Sequence, residues 1–324
     1  MKTTPPKLIS RQQLWERNYE QNRYMHNLSI EDLVERHDIV TNNFTSLVSR
    51  EGRLHISPVP FTDDPKWIEL YTHCLHELRL RGIPFPGPFR AMGEGFLKNL
   101  DLETPRAVFH RPEVANGLFK LGKKEHLADL RSNGRLRLTP ASHYGKGGYG
   151  YAVDDDEISK FIELNHGNSV IKSLLDGLDL HEIARYNIRM AIRAPTDYYL
   201  FSMSNTFKYR YIFDFKYNGA LQINDRAKFI SRVRNGVQKY FGRDVDVHEI
   251  NVNYVDPLRP KNQKFVAISM KHIKFAYQTE FRFCLGPRTP TLELGNIITI
   301  DIDPLEDISN ILDFDEAPLV HSSE

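Results

Sequence analysis

Residues 275–285 read FAYQTEFRFCL. Taken as a strand of period two, this stretch puts Gln278, Glu280 and Arg282 on one face and Thr279, Phe281 and Phe283 on the other. One side is aromatic; the other carries an amide, a carboxylate and a guanidinium. Either that polar face is solvated and holds a Glu–Arg pair, or it presents a carboxylate on rigid backbone, beside an amide, to a cleft.

Working outward, Tyr198–Ser204 (YYLFSMS) reads as a second strand with Ser202 and Ser204 on one face. Two hydroxyls at a strand end can fix a turn and orient a neighbouring carboxylate. Tyr209, Arg210 and Tyr211 follow in TFKYRYIFDF, placed either to stack on a planar ring or in the core. Leu118–Leu121 predicts a strand, Lys124–Ser132 a short helix closed by Asn133-Gly134, and Arg135–Thr139 a strand broken at Pro140. His143-Tyr144 and a glycine-rich loop come next. Strands are also predicted over Ile183–Ile192, Ala220–Ile223, Val245–Tyr254 and Ile297–Ile302. A helix capped by Asp225 should run through Lys239. Many short strands with few long helices make an α+β fold on a split, mixed or antiparallel sheet or a sandwich.

The first third reads differently. Ser10–Met25, a segment capped by Ser29, and a helix opening at Pro65 and ending at Gly82 have helical spacing. The run Ile83–Pro88 cannot be helix. The pattern predicts a mostly helical domain over 1–105 and an α+β domain over 106–324.

In chain order, Leu118-Phe119-Lys120, Ser132-Asn133-Gly134, Leu138-Thr139-Pro140, His143-Tyr144, Leu200–Ser204, Tyr209-Arg210-Tyr211 and Gln278-Thr279-Glu280-Phe281-Arg282 resemble a family of bacterial proteins within the ADP-ribosyltransferase superfamily. They are also similar to the Ser-x-Ser and Gln-x-Glu pattern of ADP-ribosylating toxins. The resemblance spans about half the chain, Leu118–Leu285. It implies a split-sheet fold of that type and NAD as substrate. The acceptor would be a macromolecule, RNA ahead of protein. The implied role is that of a toxin or phage-defence effector in the cytoplasm, restrained by an antitoxin partner. Glu280 and Gln278 would be catalytic; Lys120, Tyr144, Ser202, Ser204, Tyr209 and Arg210 would bind NAD, with His110 and Arg111 as rivals to Lys120 for the basic anchor. Glu280→Gln is then expected to abolish transfer with the fold kept. Protein modification, NAD hydrolysis, a metal-dependent nuclease and a non-enzymatic nucleic-acid-binding module stand as alternatives.

Composition sets outer limits. The 324 residues are 40% hydrophobic, which excludes wholesale disorder. Met1–Gln13 lacks the apolar run of a signal peptide, and no segment is long and apolar enough for a membrane span. Two cysteines cannot make a disulfide framework. Residues 289–324 hold nine acids and no Lys or Arg, leaving 43 basic residues against 33 of the 42 acids before them. A basic body suits a polyanionic partner. On the Asp225 helix, Lys228, Arg232 and Lys239 form a candidate phosphate-tracking stripe, which the acidic segment could cover. Gly145–Gly150 matches G-x-G-x-x-G without the acid expected about 20 residues later, so a flexible loop is the better reading. Asp154–Glu157 reads as an acid run opening a helix, and His73-Cys74-Leu75-His76 as core. No metal site is expected.

Overall fold

The computed structural model describes residues 9–50, 53–58, 65–87, 106–111, 114, 117–146, 156–164, 188–259, 266–288 and 294–315. Helices α1 (Arg11–Gln21), α2 (Ile30–Phe44) and α3 (Pro65–Leu80) form the N-terminal group. Ser10 and Ser29 cap the first two through the main-chain N–H groups of Gln13 and Asp32. Between α2 and α3 lies an antiparallel hairpin, β1 (Thr45–Arg50) and β2 (Arg53–Pro58), which the helical reading of this third did not anticipate.

The remainder is α+β. In order come β3 (Leu118–Gly122), α4 (Lys124–Asn133), β4 (Arg135–Pro140), β5 (Ser159–Leu164), β6 (Ile188–Arg193), β7 (Tyr199–Ser204), the short α5 (Arg210–Asp214), β8 (Gly219–Ile223), α6 (Arg226–Phe241), β9 (Val245–Asn251), β10 (Asn253–Val255), β11 (Met270–His272), β12 (Glu280–Pro287), β13 (Ile298–Asp301) and β14 (Ser309–Asp313). Eight strands make one antiparallel sheet around β7. Along one edge β7 pairs with β4 at its start and β3 at its end; along the other it pairs with β12, which continues to β9. Strands β5 and β6 form a separate antiparallel pair and β10 and β11 a parallel one.

Residues 294–315 of the acidic C-terminal segment do not form a solvated tail. Strand β13 pairs with β4 and β14 with β8, so both extend the main sheet. Ile300, Ile302, Leu305, Ile308, Leu312 and Phe314 are buried, and the acids among them point outward. Charge on an outer strand discourages pairing with another chain.

The main core lies between one face of the sheet and helices α4 and α6. It takes Tyr199, Phe201 and Met203 from β7, Phe281, Phe283 and Leu285 from β12, and Phe229, Val233 and Val237 from α6. The alternation of both strands therefore turns their other residues toward the opposite face. At the end of α4, Gly134 has φ +66° and its Cα faces the main chain of Ile302, whose N–H bonds the Gly134 carbonyl at 2.8 Å. A Cβ there would sit 1.8 Å from the Ile302 carbonyl oxygen. Gly134→Ala should lower stability by about 1–3 kcal/mol or more, combining left-handed strain with displacement of β13; urea denaturation measures it.

The N-terminal group does not pack as a separate body. Leu47 and Leu54 share a cluster with Phe109, Phe119, Phe207 and Phe314. Leu33, Val40, Leu70 and Leu78 pack against Ile273. Buried Arg36 pairs with buried Asp256 at 2.6 Å. The expected boundary at residue 105 thus cuts through common packing.

Candidate active site

On the sheet face away from the main core, β3, β7 and β12 lie side by side, with Glu280 opposite Ser204 and Ser204 opposite Phe119. A cavity of about 120 Å³ opens there. Lys120, Tyr144, Ser202, Ser204, Gln278 and Glu280 all line it, together with Glu157, Phe215, Tyr217 and Lys271. Six of the residues singled out from sequence therefore converge. Cavities on the order of 150 Å³ hold a single aromatic ring, so this one suits a ring-sized group with the rest of a ligand running outward.

The strand predicted from Phe275 begins only at Glu280. Ile273–Gln278 is a 3₁₀ helix, and Thr279 reverses it with φ +44°. A left-handed conformation is uncommon for a β-branched residue and needs support. Ser204 supplies it: its hydroxyl donates to the Gln278 carbonyl at 2.7 Å and lies 3.1 Å from the Thr279 hydroxyl. Tyr211 donates to the Tyr277 carbonyl at 2.8 Å. From the N-terminal side, Asn43 accepts the Tyr277 N–H at 2.7 Å. The kink keeps Gln278 and Glu280 on one cavity although they no longer share a strand.

The polar face is buried, not solvated: Glu280 is 7% exposed and Arg282 0%. Arg282 donates to Glu280 at 2.8 Å and makes a two-pronged pair with Glu157, both contacts 2.8 Å. Lys271 lies 2.9 Å from Glu280 and 3.9 Å from Glu157, and donates to the Gln278 side-chain oxygen at 3.1 Å. Lys160 adds a contact to Glu157 at 3.2 Å. Ser202 lines the same cavity and its hydroxyl favours the ionised form of Glu280. Burial pushes the Glu280 carboxyl up, but Arg282 and Lys271 outweigh it and hold it well below the usual carboxylate range. Glu157 is depressed in the same way, by Arg282, Lys160 and Lys271 against burial.

Lys120 differs from the other cations. Its ammonium donates to the Ser202 carbonyl at 2.9 Å and sits 4.4 Å from the centre of the Phe201 ring. Burial brings its pKa down to about 8, with the charge of Glu280 offsetting part of the effect. A cation facing a cavity and bonded to a carbonyl is placed to take an anionic ligand group. Phe215 and Tyr217 lie parallel, 6.3 Å between centres, and give the cavity an aromatic wall. Burial pushes the Tyr144 hydroxyl up to about 12, so it remains protonated.

Other expectations fall elsewhere. Arg210 is buried away from the cavity, paired with Asp214 at 2.7 Å, bonded to Asn42, and 3.6 Å from the Tyr277 ring centre. Tyr209 donates to the main-chain carbonyl of Arg111. Both hold packing and do not line the cavity, and His110 and Arg111 are exposed beyond it. On α6, Lys228 and Arg232 are bound by Asp307 at 2.5 and 2.7 Å, while Lys239 is exposed. His73 and Cys74 are buried core residues. The acid run opens a strand, not a helix: Asp156 caps the turn into β5 through the N–H groups of Ile158 and Ser159, and Glu157 turns inward. Asp154, Asp155 and most of the glycine-rich loop lie outside the described residues. A metal-binding use of Glu157 and Glu280 is disfavoured because both carboxylates are already bound by cations. Among the described residues no group of three or more metal-ligating side chains occurs, and no helix is long and apolar enough to cross a membrane.

Glu157 and Lys271 were not among the residues singled out for the site. Lys271 precedes Glu280 by nine residues across a 3₁₀ turn, so no simple period links them. Comparison with family models, curated proteins and solved structures gives no match. The geometry and the order of motifs therefore carry the functional reading.

Proposed function

We propose that the cavity is the NAD site of an ADP-ribosyltransferase with a split sheet of that superfamily's type, and that nucleic acid, RNA foremost, is the acceptor. The observation that carries this is the meeting of Lys120, Ser202 and Glu280, from three adjacent strands, on one cavity. The nicotinamide end enters the ring-sized space and Lys120 faces a phosphate. The bond between ribose C1″ and the nicotinamide nitrogen breaks, nicotinamide leaves with the electron pair, and positive charge grows on the ribose. Glu280, ionised and fixed by Arg282 and Lys271, faces that charge. An acceptor nucleophile then attacks C1″; with water instead, the outcome is NAD hydrolysis. A toxin or defence role with a protein antitoxin accords with this chemistry. Incubation with labelled NAD and cell extract tests it: label on nucleic acid is expected. Label on protein alone would redirect the acceptor reading, and no turnover would remove the enzyme reading.

Asp307 already pairs with both Lys228 and Arg232, so the α6 stripe meets phosphate only in competition with it. Asp307→Asn should therefore strengthen binding of a single-stranded RNA and steepen its salt dependence. Unchanged affinity across a salt series would exclude the stripe from the interface.

A further inference from the structure

Strand β7 lacks a strand partner along part of one edge. Strand β4 pairs with it at Tyr199 and Leu200, and β3 only at Ser204. Ser202 lies in the gap between them. Lys120 of β3 reaches across this gap and donates to the Ser202 carbonyl at 2.9 Å. The same nitrogen lies 4.4 Å from the centre of the Phe201 ring. Among the described residues no carboxylate pairs with Lys120, whereas Lys160, Lys271 and Arg282 each contact one at 3.2 Å or less.

A carbonyl accepts from a neutral amine as well as from an ammonium, so loss of the proton leaves the nitrogen in place. Burial favours that loss and brings the Lys120 pKa to about 8. Arg137 of β4 acts in the same direction, and Glu280 of β12 acts against it. Strands β7 and β8, on either side of β3, carry no charged side chain. Tyr144, Glu157, Tyr217 and Lys271 complete the titratable lining of the cavity. A lysine desolvated in this way is a nucleophile near neutral pH. It faces about 120 Å³ of space walled by Leu121, Leu200, Phe215 and Tyr217, room for one planar ring.

We propose that Lys120 captures an aldehyde or ketone borne on a planar ring and holds it in the cavity as an imine. The lysine nitrogen attacks the carbonyl carbon with its lone pair. Both amine protons leave nitrogen as the C–N double bond forms, and the carbonyl oxygen departs with two protons as water; nothing is oxidised or reduced. This chemistry does not depend on the NAD reading, in which the protonated form of the same lysine faces a phosphate. The test incubates the full chain with pyridine-3-carboxaldehyde. Borohydride then delivers hydride to the imine carbon, fixing it as a secondary amine, and mass spectrometry of the digest locates the label. At pH 7 Lys120 should carry at least about ten times the label of exposed Lys66 and Lys239, because its lower pKa leaves more free amine than an ordinary lysine has. Propionaldehyde, which lacks the ring, should show a smaller excess. Label no greater on Lys120 than on the two surface lysines, or an equal excess with both aldehydes, would overturn the proposal. NAD added before the aldehyde separates the two readings: protection of Lys120 supports NAD binding in this cavity, and undiminished label counts against NAD there while the imine stands.

Discussion

Glu280→Gln should reduce NAD turnover by at least about a hundredfold, since loss of a fixed charge facing a developing one costs on the order of 3 kcal/mol. The same exchange should also weaken the fold, contrary to the expectation from sequence alone. Glu280 is held by Arg282 at 2.8 Å and Lys271 at 2.9 Å inside the protein. Removing one member of a buried charge group leaves the others uncompensated, at about 3–5 kcal/mol in comparable sites. Glu157 stays in place and limits the damage, because it pairs with both cations. The pH dependence has a definite sign. A carboxyl whose folded pKa is depressed contributes stability above its unfolded value, and that contribution is lost as pH falls through the folded value. Both Glu157 and Glu280 are depressed, so the unaltered protein should lose stability as pH falls below the ordinary carboxylate range, with the variant losing less over that interval. Thermal melts across pH, alongside turnover at a temperature where the variant is folded, separate the two effects. A folded variant with unaltered turnover would remove Glu280 from the chemistry.

The convergence of Ser202, Ser204 and Glu280 was legible because it depends on local alternation, whereas Gln278 reaches the cavity from a 3₁₀ helix. Tyr199, Phe201 and Met203 commit one face of β7 to the core, and Phe281 and Phe283 do the same for β12, which fixes where the polar residues point. Helices α4 and α6 were equally legible through the left-handed Gly134 and the Asp225 cap, which accepts the Lys228 N–H at 2.9 Å. What alternation cannot report is a break made by a distant partner. The predicted strand Val245–Tyr254 is interrupted at Val252, whose N–H bonds the Glu280 carbonyl; beyond it the chain leaves β12 for β11. Ile273–Gln278 has strand-like composition but is held as a 3₁₀ helix by Asn43, Ser204 and Tyr211. Glu157 sat in an acid run whose ordinary meaning is a helix start. Its partner Arg282 is 125 residues away, and no local pattern carries that pairing.

A chain beginning at Ala107 should fail to fold, rather than retain NAD hydrolysis as a division at residue 105 would predict. Its loss would strip Leu33, Val40, Leu70 and Leu78 from Ile273, and Leu47 and Leu54 from Phe109, Phe119 and Phe207. Burial of one large apolar side chain is worth about 1.5–3 kcal/mol, and net stabilities of domains are about 5–15 kcal/mol, so uncovering these clusters alone approaches the whole margin. Buried Asp256 would also lose Arg36, its ion-pair partner at 2.6 Å. The consequence reaches the site directly, because Asn43 of α2 holds the Tyr277 N–H and also donates to the carbonyls of Ile273 and Lys274. Those bonds shape the turn that carries Gln278 to the cavity and leads into Glu280. Circular dichroism and gel filtration of the shortened chain provide the measurement. A soluble product with a cooperative thermal transition would show that residues 106–324 form a self-sufficient domain. Aggregation, together with normal folding when residues 1–105 are restored, would show that the N-terminal helices and hairpin belong to the fold that supports the cavity.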